Sequence, residues 1–229
     1  MRARRAVVLL SGGLDSAVAA TIAKCERYDL YALTFDYGQR NRENELAAAV
    51  RIADALRVKE HKVLTLPLAS FGASALTDAA IPVPKNRKKE QLATEIPATY
   101  VPARNTVFLS LALAWAETLQ ADSIFIGAHA IDYSGYPDCR PEYFEKFNEL
   151  VPLATKQGVE GRSPKIVAPL LGWNKAKIVE TGEDLKAPLK HTWSCYEAGT
   201  RQCGECDACK IRKAAFAQAG ATDPVPYAA

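Results

Sequence analysis

Two groups of residues stand out by type and spacing: Ser11-Gly12-Gly13-Leu14-Asp15-Ser16, and the cysteines Cys195, Cys203, Cys206 and Cys209. In the first, two glycines let the backbone come close to an anion, and two hydroxyls add donors. Asp15 does not suit a pure anion site, because a bare carboxylate repels phosphate. It fits if Mg²⁺ bridges the two, or if it caps a helix. In the second group, C-x₂-C-x₂-C with a fourth cysteine upstream can close a tetrahedral thiolate site, with Gly204 supplying the tight turn. Zn²⁺ suits it; an iron–sulfur cluster and redox thiols are the alternatives. Four thiolates leave no open position, so such a metal is structural, and binding would supply on the order of 10 kcal/mol to fold the loop.

The elements around the first group explain why it could hold an anion. Ala6 to Leu10 is an apolar run too short for a helix and branched enough for a buried strand. Leu14, Ala17, Val18, Ile22 and Cys25 then recur at helical spacing. A strand, a glycine turn and a helix start aim free backbone N–H groups at one spot, where the helix dipole adds positive potential. Phosphate is the usual guest. The candidate binding residues are Leu10, Ser11, Gly12, Gly13, Leu14, Asp15 and Ser16.

Further along, strands and helices alternate. Leu30 to Phe35 reads as a second strand, and Asp36 after it is a candidate for nucleotide or metal contact, or a polar loop residue. Arg42 to Arg57 reads as a helix with Leu46, Ala49, Val50, Ala53 and Leu56 inward; His61 to Leu66 is a third strand. Residues 67–98 break the rhythm with prolines and the basic run Lys85 to Lys89, more often a solvated face than a binding patch. A helix over Asn105 to Leu119 is apolar almost all round, and Arg104 before it can grip phosphate or carboxylate, or form a structural salt bridge. Ser123 to Gly127 is a fourth strand. The stretch after it holds Asp132, Tyr133, Tyr136, Asp138 and Cys139, a mix that suits a flat, hydrogen-bonding ligand. Cys139 has no base beside it and reads as a small buried thiol rather than a nucleophile. Pro141 to Gln157 is a helix and Ile166 to Leu171 a fifth strand. Asn174 caps a further helix whose first turn carries Lys175 and Lys177; cations there oppose the dipole, which points to an anion met by one of them.

This order predicts an α/β fold: a doubly wound, mostly parallel five-stranded sheet over residues 1–190, with a small helical zinc-binding appendage over 191–229. The Ala/Pro-rich tail is expected to be partly mobile. A net charge of +3 is too mild for a nucleic-acid binder but suits an anionic substrate. No secretory leader is apparent. The longest apolar run, Thr106 to Ala116, is short of the ~20 residues a bilayer span needs. A cytoplasmic protein, with its thiols reduced and with neither nucleic-acid nor membrane partner, is the expectation.

The Ser11–Ser16 loop is neither a Walker A loop nor a dinucleotide fingerprint. It resembles the PP-loop, S-G-G-x-D-S, of the N-type ATP pyrophosphatases, adenine nucleotide alpha hydrolase-like proteins that transfer AMP from ATP to an acceptor oxygen. Together with Phe35-Asp36-Tyr37-Gly38-Gln39, Tyr100 to Asn105, Asp132 to Cys139 and the cysteine spacing, it resembles the 7-cyano-7-deazaguanine synthase family of queuosine biosynthesis. That resemblance implies an ATP-dependent carbon–nitrogen ligase, active as a homodimer, that uses Mg²⁺ and Zn²⁺. Its substrates would be 7-carboxy-7-deazaguanine, ATP and ammonia. The chemistry of that reaction then asks for Asp15 on Mg²⁺ and for Arg104 and Lys175 to neutralise charge on phosphate or the substrate carboxylate; a guanine-like base suits a carboxylate acceptor, Asp132 or Asp138, with Tyr133 or Tyr136 stacking. A PP-loop tRNA-modifying enzyme, thiolase or lysidine-type ligase, shares the loop. It fits less well, since four cysteines are committed to metal and no basic domain follows. A non-enzymatic zinc module on nucleic acid is opposed by the intact loop and the mild charge.

Overall fold

The computed structural model describes residues 2–83, 96–129 and 136–228. Its centre is β1 (Arg5–Leu9), flanked by β2 (Asp29–Asp36) and β4 (Ser123–Phe125), with β3 (Glu60–Thr65) and β5 (Lys165–Val167) outside them. The order is β3-β2-β1-β4-β5, and every pairing is parallel: Val7 sits opposite Tyr31 on one side and Ile124 on the other. A strand buried on both faces reads as an unbroken apolar run, and Ala6 to Leu9 do so. Period-two alternation sends Ala6 and Val8 to one layer, with Ala17 and Ala20 of α1 (Leu14–Cys25) and Ala49 and Ile52 of α2 (Arg42–Leu56). Val7 and Leu9 face the other layer, with Leu109 and Ala112 of α3 (Arg104–Leu119) and Phe144 and Phe147 of α4 (Pro141–Ala154). The short α5 (Lys156–Val159) follows α4, and α6 (Lys175–Asp184) and α7 (Asp207–Gln218) close the element order.

Helices thus cover both faces of the sheet, and the strand order reverses at β1. The crevice between the carboxyl ends of β1 and β4 is where such sheets bind ligands. A third apolar cluster joins Leu14, Val18 and Ala19 of α1 to Ile178 and Val179 of α6 and Ala215 and Phe216 of α7.

Several local expectations are corrected. Cys25 is exposed, because the apolar stripe of α1 ends a turn earlier. Val50 is exposed too; α2 turns Ala48, Ala49, Ile52, Ala53 and Leu56 inward. The helix from Pro141 stops at Ala154: Thr155 is extended and its hydroxyl accepts from the Gly158 N–H, starting α5. β4 and β5 have three residues each, shorter than the Ser123–Gly127 and Ile166–Leu171 strands expected, and β5 starts one residue earlier, at Lys165. The carboxyl-terminal residues are tied down rather than loose. The Arg212 guanidinium, 1% exposed, makes a two-pronged ion pair with Asp223 at 2.9 Å on both arms, and Ala228 N–H donates to the Gln202 carbonyl at 2.8 Å. No described helix is long and apolar enough to cross a membrane.

Candidate active site

A cavity of about 340 Å³ opens at the switch point of the sheet, and Ser11, Gly13, Asp15 and Ser16 form part of its wall, with Leu10 and Leu14. The loop is knitted by its own hydroxyls: Ser16 Oγ accepts from the Ser11 N–H at 3.2 Å and donates to the Gly13 carbonyl at 3.0 Å. Gly13 is the N-cap of α1 and offers no side chain, so the first N–H groups of the helix are left for a guest. Gly12 does a different job from its neighbour. Its φ is +83°, and a Cβ there would collide with the Glu45 carbonyl of α2. It lets α2 come close, and it is not itself on the cavity wall.

Asp15 is the charged centre. Its Oδ2 accepts from Lys175 Nζ at 2.7 Å, and His129 Nε2 lies 3.4 Å from the same oxygen. Lys175 also meets His129 Nε2 at 3.1 Å. Burial alone would raise the Asp15 carboxyl, but the Lys175 ammonium and His129 overrule it and hold it well below the usual carboxylate range. Its other oxygen, Oδ1, is buried and accepts no hydrogen bond from the described residues. A buried, ionised, unsatisfied carboxylate oxygen beside a phosphate-type loop has the hard-oxygen character that Mg²⁺ takes, so the residues fit that ion. The reading of Asp15 as a helix cap is not what the geometry shows: α1 has no side-chain cap.

Arg104 opens α3 behind Ala103, which is left-handed at φ 52°. Its Nη1 donates to Tyr37 Oη at 3.3 Å, and the guanidinium lies over the rings of Tyr37 and Phe108 at 5.8 and 6.0 Å. Burial pushes the Tyr37 phenol up to about 12, so it stays neutral beside the cation. Arg104, Tyr37 and Tyr136 all line the cavity. Tyr136 Oη shares a 2.9 Å hydrogen bond with Thr99.

Two aspartates sit elsewhere. Asp36, 8% exposed, accepts from the Gly38 N–H and faces Arg42 at 3.8 Å; it shapes the loop after β2 and is not on the cavity wall. Asp138 Oδ2 accepts from the Asn105 N–H at 2.9 Å, and its carbonyl accepts from Asn105 Nδ2, so it caps the first turn of α3. Asp138 too is off the wall. Asp132 and Tyr133 lie outside the described residues. Burial and the neighbouring Asp138 push the Cys139 thiol up to about 11, so it is a protonated thiol in the wall and not a primed nucleophile.

Sequence reasoning passed over several wall residues, His129 and Glu45 among them. His129 lies four residues past the end of β4, in the loop that the strand-end rule marks. Glu45, in the first turn of α2, was hidden in a helix read only for its apolar face.

The four cysteine sulfurs lie within 4.8 Å of one another. Backbone N–H groups of Glu197 and Cys203 point at Cys195 Sγ, and those of Glu205 and Cys206 at Cys203 Sγ, the donors that stabilise thiolates. Gly204, at φ +76°, makes the turn between Cys203 and Cys206. The donor set fits a closed tetrahedral metal site. This segment also reaches the cavity: Trp193 N–H donates to the Gly12 carbonyl at 2.8 Å, and Trp193, Ser194 and Tyr196 line the wall.

The chain resembles known proteins along nearly its whole length. The family model of "Queuosine biosynthesis protein QueC" matches residues 5–220. The 7-cyano-7-deazaguanine synthase of Thermosynechococcus vestitus (strain NIES-2133 / IAM M-273 / BP-1) is 53% identical over 225 residues, 98% of this chain and 96% of that protein. The one from Anaeromyxobacter dehalogenans (strain 2CP-C) is 55% identical over 227 residues, covering 99% and 97%. Among solved structures, NMN synthetase from Francisella tularensis superposes with a TM-score of 0.49 at 18% identity, over 96% of this chain and 79% of that one. A family match over nearly the whole chain, and relatives named synthases that are more than half identical end to end, make this an enzyme: the chain belongs to the queuosine biosynthesis protein QueC family.

Proposed function

We propose that this chain is an ATP-dependent carbon–nitrogen ligase that converts 7-carboxy-7-deazaguanine and ammonia to 7-cyano-7-deazaguanine. The single observation that carries the reading is its membership of a family whose relatives bear that synthase name, over nearly every residue of both chains. The chemistry explains the wall. A carboxylate repels a nucleophile and has no good leaving group. Its oxygen attacks the α-phosphorus of ATP, pyrophosphate leaves, and the acyl adenylate is neutral at carbon. Ammonia adds, AMP departs and a proton is lost, giving the amide. A second ATP takes the amide oxygen in the same way; loss of AMP and the remaining N–H protons leaves the nitrile.

Such transfers depend on position and charge. The N–H groups at the start of α1 hold phosphate oxygens, and the Ser11 and Ser16 hydroxyls, bonded to each other and to the Gly13 carbonyl, brace the loop that presents them. Arg104 and Lys175 neutralise phosphate and the substrate carboxylate. Asp15 would hold Mg²⁺ through Oδ1, and that ion supplies positive charge among the phosphates. Lys175 keeps Asp15 ionised and aimed. Cys195, Cys203, Cys206 and Cys209 would hold Zn²⁺, which supplies cross-linking and no open coordination position. Tyr136 offers a ring to the base; Asp132 and Tyr133 remain candidates beside it. We read residues 1–190 as the ATP-binding part and 191–229 as the zinc-binding part, in a cytoplasmic homodimer without nucleic-acid partner.

Purified protein given 7-carboxy-7-deazaguanine, ATP, Mg²⁺ and ammonium should form the nitrile, seen by mass spectrometry. Intact substrate with no product would overturn the assignment.

A further inference from the structure

Glu45 lies on the cavity wall and has no part in the steps above. Glu45 is held from both sides by amides: its Oε2 accepts from Gln39 Nε2 at 3.0 Å and its Oε1 from Asn41 Nδ2 at 3.1 Å. The amides are fixed in turn. Gln39 Oε1 accepts from the Tyr37 N–H at 2.9 Å, and Asn41 Nδ2 donates to the Cys195 carbonyl at 2.6 Å. Gln39 and Asn41 are 3% and 4% exposed. No described Lys or Arg forms an ion pair with Glu45; the Arg104 charge acts on it from beyond contact distance and favours the ion. A carboxylate offers about four lone-pair sites. Two are taken, and the amides that take them fix the plane in which the other two are presented.

The surroundings say what would use them. Phe35 and Phe108 stack with ring centres 4.1 Å apart, and with Tyr37 and Tyr136 they give the same cavity flat aromatic walls. Burial raises the Glu45 carboxyl, so it gains most from a ligand whose N–H groups stabilise the ion. Asp138, a carboxylate expected to read the base, is engaged in capping α3.

We propose that Glu45 is a specificity residue for the base, accepting the ring N–H and the exocyclic amine of a 2-amino-4-oxo pyrimidine ring, the edge that guanine-type bases present. Adenine fits such a fork poorly. Its exocyclic amine donates, but the ring nitrogen beside it is an acceptor and repels a carboxylate oxygen. A guanine-type edge sets two donors side by side, one for each oxygen, and both bonds are charge-assisted. The inference rests on the proposed substrate and adds the residue that reads it.

Steady-state kinetics of the full-length wild type and Glu45→Gln test it, with 7-carboxy-7-deazaguanine and with the analogue that lacks only the exocyclic amine. Losing one charge-assisted hydrogen bond costs about 1.5–3 kcal/mol, so the wild type should prefer the parent by about 10²-fold in kcat/KM. In Glu45→Gln the KM for the base should rise about 10-fold and the preference fall below about 10-fold, while the KM for ATP stays within about twofold. An unchanged base KM and preference in the variant would overturn the proposal. So would a rise confined to the KM for ATP, which would give Glu45 to the adenine. If Glu45→Gln does not fold, Glu45→Asp replaces it; withdrawal of the carboxylate by one methylene should cause a loss in the same direction, and no loss counts against the proposal. A wild type that never forms nitrile overturns the functional reading and this one together. A wild type that forms it equally from both substrates overturns only this one.

Discussion

Asp15 carries the most chemistry per atom in this molecule, and its environment makes it testable. Its folded value is depressed below the ordinary 3.8, so its contribution to stability is present above about pH 4 and lost as the pH falls below that. Asp15→Asn should therefore flatten the acid limb of the stability–pH curve below pH 4, measured by urea melts, and lower kcat/KM by at least about 10²-fold with the fold intact. Near-normal turnover would remove Asp15 from the mechanism. This residue was legible in the sequence because a carboxylate inside a phosphate loop is chemically odd. Lys175 was legible for the same kind of reason, as a cation placed against a helix dipole. Asp36 and Asp138 look just as functional in one dimension. Only burial and the N–H groups they accept reveal them as loop and helix supports. Glu45 shows the reverse case: an ordinary helical glutamate in sequence, made particular by Gln39 and Asn41.

At the scale of elements, the site exists because three pieces of backbone come unusually close. Gly12 lets α2 approach the loop, and Gly127 lets the end of β4 pass the start of α1. A Cβ at Gly127 would stand 2.7 Å from both the Asp15 carbonyl carbon and the Ser16 nitrogen. Those neighbours are main chain and have no rotamer to move. Gly127→Ala should cost about 1–3 kcal/mol as overpacking, a fall of about 2–12 °C in Tm at about 2–4 °C per kcal/mol for a chain of this size. It should also depress turnover, since it displaces Asp15. An unchanged melt would show that the two segments have room. The glycine loop, the strand before it and the helix after it could all be read from periodicity. The lengths of β4 and β5 could not: Ile126 and Leu170 are as apolar as their neighbours, and only the pairing of strands decides where the ladder ends. Likewise the break at Thr155 depends on a hydroxyl finding the Gly158 N–H.

For the whole molecule, the cysteine segment is more than an appendage in its contacts. Cys195, Cys206 and Cys209 pack with Ala48 of α2 and with Trp193, and the Cys195 carbonyl accepts from both Asn41 Nδ2 and Trp193 Nε1. Cys203→Ser should thus lower the zinc content found by elemental analysis below one per chain, lower Tm, and raise the KM for ATP through the loosened Trp193 wall. Full zinc with an unaltered KM would separate the metal from the site. Spacing alone announced the cluster, but nothing in it announced that the segment walls the cavity, and the tail composition concealed the Arg212–Asp223 pair that anchors it. That wall has a consequence for how the enzyme comes into being. Trp193, Ser194 and Tyr196 follow every strand of the sheet in order of synthesis. A nascent chain can form the sheet and the phosphate loop while still on the ribosome, yet its nucleotide cavity lacks a side until these residues emerge and their cysteines gather. On the proposed zinc and ATP roles, metal capture becomes the closing event of maturation, and chains made without the metal would be folded in their sheet but would lack this wall of the cavity.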